Sequence, residues 1–262
     1  MRSISSHRLP WRQHISHLTC IRRPLSSSFS PANHSTTRHF SNKPLVYPEA
    51  PSSEHHDGAS YAAYAARIGL DLESKTYIGT RYEYIVSSAL APLGFSVKRV
   101  GGRSDYGIDL LGTWRVPSTP TVTSTSNPEP LRVLLQCKVS SQNTKIGPHH
   151  VRELEGAFVG APPGWRGPGV LGFLVAQKPA TKGMRDALGR SRWPMGYVSC
   201  SQDGRLEQML WNRRAEEEGL EGMGVSVRFC EDASGQTEQR LVLTWKGKPY
   251  VPEQESCTSE PV

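Results

Sequence analysis

Three polar side chains stand on or beside two short apolar runs, and their types are those of a hydrolytic site that uses a metal ion. Asp109 lies in the stretch "GGRSDYGIDLLGTW", which has glycines on either side of it. Gln136 and Lys138 lie two residues apart in "LLQCKVSS". Because side chains alternate along a strand, Gln136 and Lys138 share one face while Cys137 points to the other. A neighbouring strand that begins at Asp109 would bring all three polar groups together.

A carboxylate, an amide oxygen and an ammonium at one edge of a sheet suit phosphodiester hydrolysis. The oxygens of Asp109 and Gln136 are hard ligands for Mg²⁺ or Mn²⁺, and such a cation keeps positions open for water and substrate phosphate. The cation would activate a bound water, and Lys138 would orient or deprotonate that water. The alternative interpretation is an ordinary surface lysine beside an unrelated glutamine, since the pattern is short.

Hydrophobic periodicity predicts the elements that must position these residues. The segment 169–177 is continuously apolar, which is typical of a strand buried in a mixed or parallel sheet. Helices are predicted at 60–71, 76–94, 148–160, 181–191 and 204–219, and strands at 95–100, 107–114, 132–140, 169–177, 195–200, 225–231 and 239–247. This order predicts an α/β domain in which a central mixed β-sheet is flanked by helices and followed by a C-terminal β-hairpin.

Several segments resemble a known superfamily when they are read in order. "GRSDYGIDLLG", "LLQCKVSS", "VRELEGAF" and "VLGFLVAQKPATKGMRDAL" resemble the Mrr-type branch of the PD-(D/E)xK restriction-endonuclease-like superfamily. "YIGTRYEYIV", and "QCK" followed by "RELEGAF", resemble more closely the fungal mitochondrial required-for-respiratory-growth protein seven family. The resemblance covers roughly residues 59–250. It implies a restriction-endonuclease-like core, DNA as partner, and Mg²⁺ or Mn²⁺ as cofactor, and it is compatible with a homodimer.

The same resemblance assigns roles to individual residues. Asp109 matches the acid that binds the metal, Gln136 the second ligand position, and Lys138 the catalytic lysine. Glu83, at the border of the apolar face of helix 76–94, matches an acid that some relatives carry on a helix for the metal or for a supporting contact. Asp105 lies before the strand, and an aspartate in a glycine-rich stretch is typical of a residue that orders a turn.

Charge is concentrated at the start of the chain. Residues 1–48 hold six arginines and Lys43 but no acid, whereas the remainder has 24 basic and 24 acidic residues. The net charge of +7 therefore belongs to this N-terminal arm and is no evidence that the folded part binds nucleic acid. An arm rich in Arg and Ser is typical of a mitochondrial transit peptide. A disordered basic tail that binds nucleic acid is the alternative.

Composition divides the chain into four segments. Residues 1–40 are predicted to be the transit peptide, cleaved at the Arg-x-Phe-Ser sequence that precedes Ser41. The proline-containing stretch 41–58 is predicted to be a flexible linker, and 251–262 a disordered tail. Within the domain at 59–250, the segment 113–130 is rich in Ser, Thr and Pro and is predicted to be a mobile insertion. The apolar runs are too short for a span, which predicts a chain without a membrane segment.

Other titratable residues offer weaker candidates. His149 and His150 are adjacent on a predicted helix, so their side chains should point about 100° apart and chelate one ion poorly. Arg152, Glu153 and Glu155 fit an exposed helix face. Five cysteines lie far apart without a CxxC pair, which argues against a zinc ribbon or a disulfide framework and favours free thiols.

Two classes of function remain open at this stage. The intact Asp109, Gln136 and Lys138 favour a DNA nuclease of the mitochondrial matrix that depends on a metal ion and maintains mitochondrial DNA. A noncatalytic factor on the same fold, binding nucleic acid or protein for genome maintenance or expression, is favoured by the balanced charge after residue 48. A structural assembly factor for respiration is a third interpretation.

Overall fold

A six-stranded mixed sheet organises the chain in the computed structural model, which describes residues 45–49, 52–102, 107–117, 129–140, 145–231 and 237–252. The strands lie in chain order across the sheet, β1 to β6. The pairs β1–β2, β2–β3 and β5–β6 are antiparallel, and β3–β4 and β4–β5 are parallel. Their bounds are Phe95–Arg99, Leu110–Trp114, Leu131–Lys138, Val170–Ala176, Met195–Cys200 and Leu206–Trp211. The predicted mixed α/β architecture is confirmed.

In the described part of the chain, four helices of nine or more residues accompany this sheet, at Gly58–Ile68 (α1), Lys75–Leu90 (α2), Pro148–Gly160 (α3) and Lys182–Arg190 (α4). Parallel neighbours need a crossover, and α3 and α4 provide the crossovers from β3 to β4 and from β4 to β5. Helix α1 begins at Gly58, two residues earlier than the sequence predicts, and its N-cap is Asp57. Its carboxylate accepts the Ser60 N–H at 2.7 Å, and the Ser60 side chain binds back to the cap.

Two hydrophobic layers cover opposite faces of the sheet, and alternation along the strands supplies both. Leu135 belongs to the layer packed against α2, and its neighbour Leu134 belongs to the layer packed against α3 and α4. The α2 layer also contains Val86, Leu90, Leu110, Val133, Phe173 and Val198, and the α3 layer also contains Leu111, Val151, Leu154, Leu174, Met184 and Leu188. Because both faces are covered, the central strands are apolar on both sides.

The helix predicted at 204–219 is wrong. Residues Leu206–Trp211 form β6, paired with β5, and only the short helical segments Arg213–Ala215 and Glu216–Leu220 follow. The register with β5 shifts between Ser199 and Cys200, which places an extra residue in β6. Leu206 and Met209 consequently reach the same hydrophobic layer although they are three residues apart. Because of the bulge, buried residues of β6 are three positions apart in the sequence, which is also the spacing along one face of a helix.

The predicted C-terminal hairpin is confirmed and gains a short third strand. The strands Met223–Glu231 (β7) and Thr237–Trp245 (β8) pair antiparallel, and Lys248–Pro249 (β9) pairs with β8. Met223 and Leu243 are buried in the α2 layer, which fixes this second sheet to the first. Farther along β7, the Phe229 side chain is exposed.

Parts of the predicted flanking regions fall within the described residues. In the stretch predicted as a linker, Trp165 Nε1–H donates to the Val46 carbonyl at 3.0 Å, and His55 is buried beside Tyr84. The predicted transit peptide, most of the predicted tail and residues 118–128 of the predicted insertion lie outside the described part of the chain. In the part that is described, no helix has the length and apolar character that crossing a membrane requires.

Candidate functional site

Asp109 is held rigidly at the entrance to β2. Its N–H donates to the Leu135 carbonyl at 2.9 Å, and its own carbonyl accepts the N–H groups of both Val100 and Gly101, each at 2.9 Å. The carboxylate is also oriented, since its Oδ2 accepts the Cys137 N–H at 2.6 Å. Both the backbone and the side chain of Asp109 are therefore tied to β3, the strand that carries the other predicted site residues.

Gln136 lies next to Asp109 because β2 and β3 pair with Leu110 opposite Leu135. The Gln136 side chain is buried, with 4% of the residue exposed. Among the described residues no hydrogen-bond partner is found for its Oε1. Its Nε2 lies so close to Gly107 that a Cβ added there would be 2.6 Å away. An unpaired buried amide oxygen costs about 1–3 kcal/mol, so this oxygen is a candidate to bind a ligand.

Lys138 ends β3 on the same strand face as Gln136. Its Nζ lies 3.4 Å from Oε2 of Glu153 on α3, and both side chains are partly exposed. The crossover from β3 to β4 places α3 over this face of the sheet, which explains the contact. The predicted residues Asp109, Gln136 and Lys138 thus lie near one another, at the start of β2 and the end of β3.

Glu83 occupies a different position. Its Oε2 accepts the Nε–H of Arg99 at 2.5 Å, and both side chains are largely buried. Arg99 is paired with Leu110, whose side chain belongs to the α2 layer, whereas Gln136 points toward α3. Glu83 therefore lies on the α2 side of the sheet, and its role as a metal ligand stays a prediction.

The Cys137 thiol is buried and is influenced by the negative charges of Asp109 and Glu83. Burial raises the pKa of Cys137 well above its usual range, and the negative charges of Asp109 and Glu83 raise it further. A thiol with a raised pKa stays protonated and is a poor nucleophile. Cys137 consequently serves packing, as strand alternation predicts, and Cys137, Cys200 and Cys230 are free thiols in the described part of the chain.

The donors present fit a hard divalent cation. Asp109 supplies an anionic oxygen and Gln136 a neutral, buried one, which are the ligand types that Mg²⁺ and Mn²⁺ take in proteins. A magnesium ion keeps several waters and needs only one or two carboxylates. Two adjacent protein oxygens are therefore sufficient to anchor it. The other aspartate of the motif, Asp105, lies outside the described residues.

Arg99 and Glu153 contact the predicted site residues but are missed by sequence reasoning. For Glu153 a signal exists, because it borders the helical stripe of His150, Leu154 and Ala157, all of which are buried. That stripe, together with a right-handed crossover, would have placed Glu153 over β3. The sequence around Arg99 contains no comparable pattern, because the contact of Arg99 with Glu83 depends on how α2 packs against β1.

The two histidines at the start of α3 do not diverge as the sequence predicts. Their ring centroids are 3.9 Å apart, because the buried His150 ring turns back and accepts the Gly147 N–H on Nδ1 at 3.1 Å. Burial lowers the pKa of His150, as does the neighbouring His149. One ligand atom from each of His149, His150 and Glu153 lies within 4.8 Å of the others.

The fold is that of an α/β protein in which Asp109, Gln136 and Lys138 lie at the start of β2 and the end of β3. Residues 74–229 match the model of the family "Required for respiratory growth protein 7", and the chain belongs to that family. The resemblance to this family is thereby confirmed.

Two further proteins are similar to the chain. An uncharacterized mitochondrial protein of Schizosaccharomyces pombe is 28% identical over 179 residues, which are 67% of this chain and 67% of that protein. The restriction endonuclease MspJI, solved with a 27-mer oligonucleotide, matches 59% of this chain at 15% identity with a TM-score of 0.31. The chain spans 33% of the length of MspJI.

Proposed function

We propose that this protein acts in mitochondria, in the matrix, as a metal-dependent DNA nuclease that supports respiratory growth through maintenance of mitochondrial DNA. The observation that carries the proposal is the Asp109–Gln136 pair, in which an oriented carboxylate meets a buried amide oxygen without a partner among the described residues. Family membership supports the link to respiratory growth. The mitochondrial relative in Schizosaccharomyces pombe supports the location.

Each residue of the site has a chemical task in this proposal. Asp109 and Gln136 would hold Mg²⁺ or Mn²⁺ through Oδ1 or Oδ2 and Oε1, and the bound ion supplies Lewis acidity toward water and phosphate. Lys138 would place its ammonium beside the scissile phosphate and offset the negative charge that grows there. Glu153, now 3.4 Å from Lys138, would keep that ammonium oriented until substrate arrives.

Substitutions at the three residues test the proposal. Asp109→Asn keeps an acceptor for the Cys137 N–H but removes the anionic ligand, so Mg²⁺ binding and cleavage should both be lost. Lys138→Met should keep metal binding and lower turnover by roughly 10²–10⁴-fold. Gln136→Glu keeps the ligand oxygen and adds a charge, so it should stay active and bind Mg²⁺ at least as tightly.

The measurements are calorimetric Mg²⁺ titration and cleavage of single-stranded, duplex, flap and junction DNA. Asp203→Asn is the matched control, because it makes the same change in an exposed turn away from the site. If Asp109→Asn and Lys138→Met cleave DNA and support respiratory growth as well as the parent, this site does not catalyse the reaction.

A noncatalytic factor that binds nucleic acid or protein is the second candidate, and one observation favours it. Both Glu83 and Lys138 are already neutralised within the chain, by Arg99 and Glu153. Lys138 and Glu83 therefore need neither phosphate nor metal as a counter-charge. This candidate predicts that DNA or a partner protein binds the Lys138→Met variant as tightly as the parent while no variant, nor the parent, cleaves DNA.

A further inference from the structure

A second cluster of metal-ligand side chains lies at the start of α3, apart from Asp109 and Gln136. His149 and Glu153 are four residues apart and so stand on one face of the helix, one turn from each other. His150 lies beside them, with its ring centroid 3.9 Å from that of His149. One ligand atom from each residue lies within 4.8 Å of the other two. The helical spacing of His149 and Glu153 and the close approach of the two histidine rings thus bring three ligand atoms near one position.

We propose that His149, His150 and Glu153 form a binding site for a borderline divalent transition-metal ion of the zinc class. Two imidazole nitrogens and one carboxylate oxygen are donors that Zn²⁺ prefers, whereas Mg²⁺ prefers oxygen alone. Three protein ligands leave a fourth position for water, as in open zinc sites. The oxygen pair at Asp109 and the nitrogen-rich cluster on α3 therefore select different ions.

Binding requires one local rearrangement. Zinc ligands at roughly 2.0–2.2 Å from the ion are at most about 4.4 Å apart, and the three ligand atoms lie within 4.8 Å of one another, so little side-chain movement is needed. His150 must, however, release the Gly147 N–H. A neutral imidazole that binds a metal through one nitrogen carries its proton on the other, so it can no longer accept that bond on Nδ1. The cost is one hydrogen bond at the helix start.

The proposed ion competes with Lys138 for Glu153. The Lys138 ammonium lies 3.4 Å from Glu153 Oε2, and an ion that takes this carboxylate also repels the ammonium next to it. Occupancy of the cluster therefore releases Lys138 from α3. The effect on cleavage rests on the proposed nuclease function, whereas the metal site itself does not.

Zinc titration of the full chain by calorimetry, with Co²⁺ absorption as a second probe, tests the site. His149→Ala and Glu153→Gln should each remove one equivalent of bound Zn²⁺, or weaken it by at least about 10-fold. Lys138→Met should tighten that equivalent, because it removes the competing cation. Glu155→Gln should change nothing, since residue 155 points to a different side of the helix from 153.

Two outcomes overturn the inference. Parent-like stoichiometry and affinity in both His149→Ala and Glu153→Gln would refute the site, provided that circular dichroism shows both variants to be folded. Unchanged affinity in Lys138→Met would refute the competition. Asp109→Asn should bind Zn²⁺ at this equivalent like the parent, so a failure of the nuclease proposal is distinguished from a failure of this site.

Discussion

The glycines around Asp109 make room for the site. Gly107 adopts φ +78°, and a Cβ added to it would lie 2.6 Å from Gln136 Nε2. Gly107→Ala should therefore push the Gln136 amide away from Asp109 and add backbone strain of about 1–2 kcal/mol. We expect weaker Mg²⁺ binding together with lower stability, measured by calorimetry and by urea unfolding.

A second glycine separates these two effects. Gly69 ends α1 at φ +64°, with no atom within 4 Å of an added Cβ. Gly69→Ala should lose similar stability but bind Mg²⁺ like the parent. Equal Mg²⁺ affinity in Gly107→Ala and Gly69→Ala would show that Gly107 does not position Gln136.

The Arg99–Glu83 ion pair should contribute more to the free energy of unfolding than an exposed ion pair does. Both side chains are largely buried, at 14% and 12% exposure, and removing one partner of a buried ion pair leaves an uncompensated charge. Arg99→Met should lower the free energy of unfolding by roughly 3 kcal/mol, measured in urea. The double variant with Glu83→Gln should recover much of that loss.

The control for this pair is Arg213→Met, because Arg213 and Glu217 form an exposed ion pair. Its effect should stay below about 1 kcal/mol. A double variant no more stable than Arg99→Met would mean that the arginine acts through packing rather than through charge.

Strand alternation and a short apolar run suffice to predict that Asp109, Gln136 and Lys138 lie on neighbouring strands, while their roles stay a prediction. These features do not predict which charges meet across elements. Glu83 is identified as a candidate from its helix, yet its pairing with Arg99 depends on how α2 packs on β1. The lysine partner Glu153 depends likewise on the crossover through α3. Distances between elements are tertiary information that local spacing does not contain.

At the level of elements, the sequence predicts those strands and helices whose apolar residues recur at a constant spacing. The apolar run of β4 and the proline-initiated α3 occur where the sequence predicts them. The strand β6 is mispredicted because a bulge makes its buried positions three residues apart. Pairing with the edge of β5 satisfies its backbone groups, and this tertiary hydrogen bonding overrides local propensity.

The segment before α1 is tied to α2 through His55, and this contact depends on pH. His55 Nδ1 lies 2.7 Å from the Tyr84 hydroxyl oxygen. Burial lowers the pKa of His55, with a further lowering by Arg99 and a partial opposing effect of Glu54. Below an unfolded pKa of about 6.5, the unfolded chain binds more protons than the folded chain, so stability falls as pH falls.

We therefore expect the urea midpoint to decline as pH drops from 7 through 6.5 toward the lowered pKa of His55. In His55→Gln this decline should be smaller, because the substituted residue does not titrate. His56→Gln is the control, since the His56 side chain is 84% exposed. A decline of equal size in His55→Gln and in the parent would contradict the assignment.

For the whole molecule, charge separates the arm from the folded unit. Segment 1–43 contains seven basic residues and no acidic residue. The chain after residue 48 contains 24 basic and 24 acidic residues. Residues Pro44–Val262 form one compact unit. If the folded unit binds DNA as proposed, its balanced charge would gain little from counterion release, so binding would depend on local contacts such as the Lys138 ammonium.

The salt dependence of DNA binding tests this division. Each phosphate neutralised on duplex DNA adds about 0.9 to the slope of log affinity against log salt, so the arm can contribute up to roughly 6. The full chain should therefore bind duplex DNA with a steep slope, and residues 44–262 with a shallow one. If import cleaves the chain before Ser41, as the sequence predicts, the mature protein keeps only Lys43 of the seven basic residues and should show the shallow slope. Fluorescence anisotropy between 50 mM and 200 mM salt measures both slopes, and an unchanged slope in the shorter chain would place the basic contact surface within the folded unit instead.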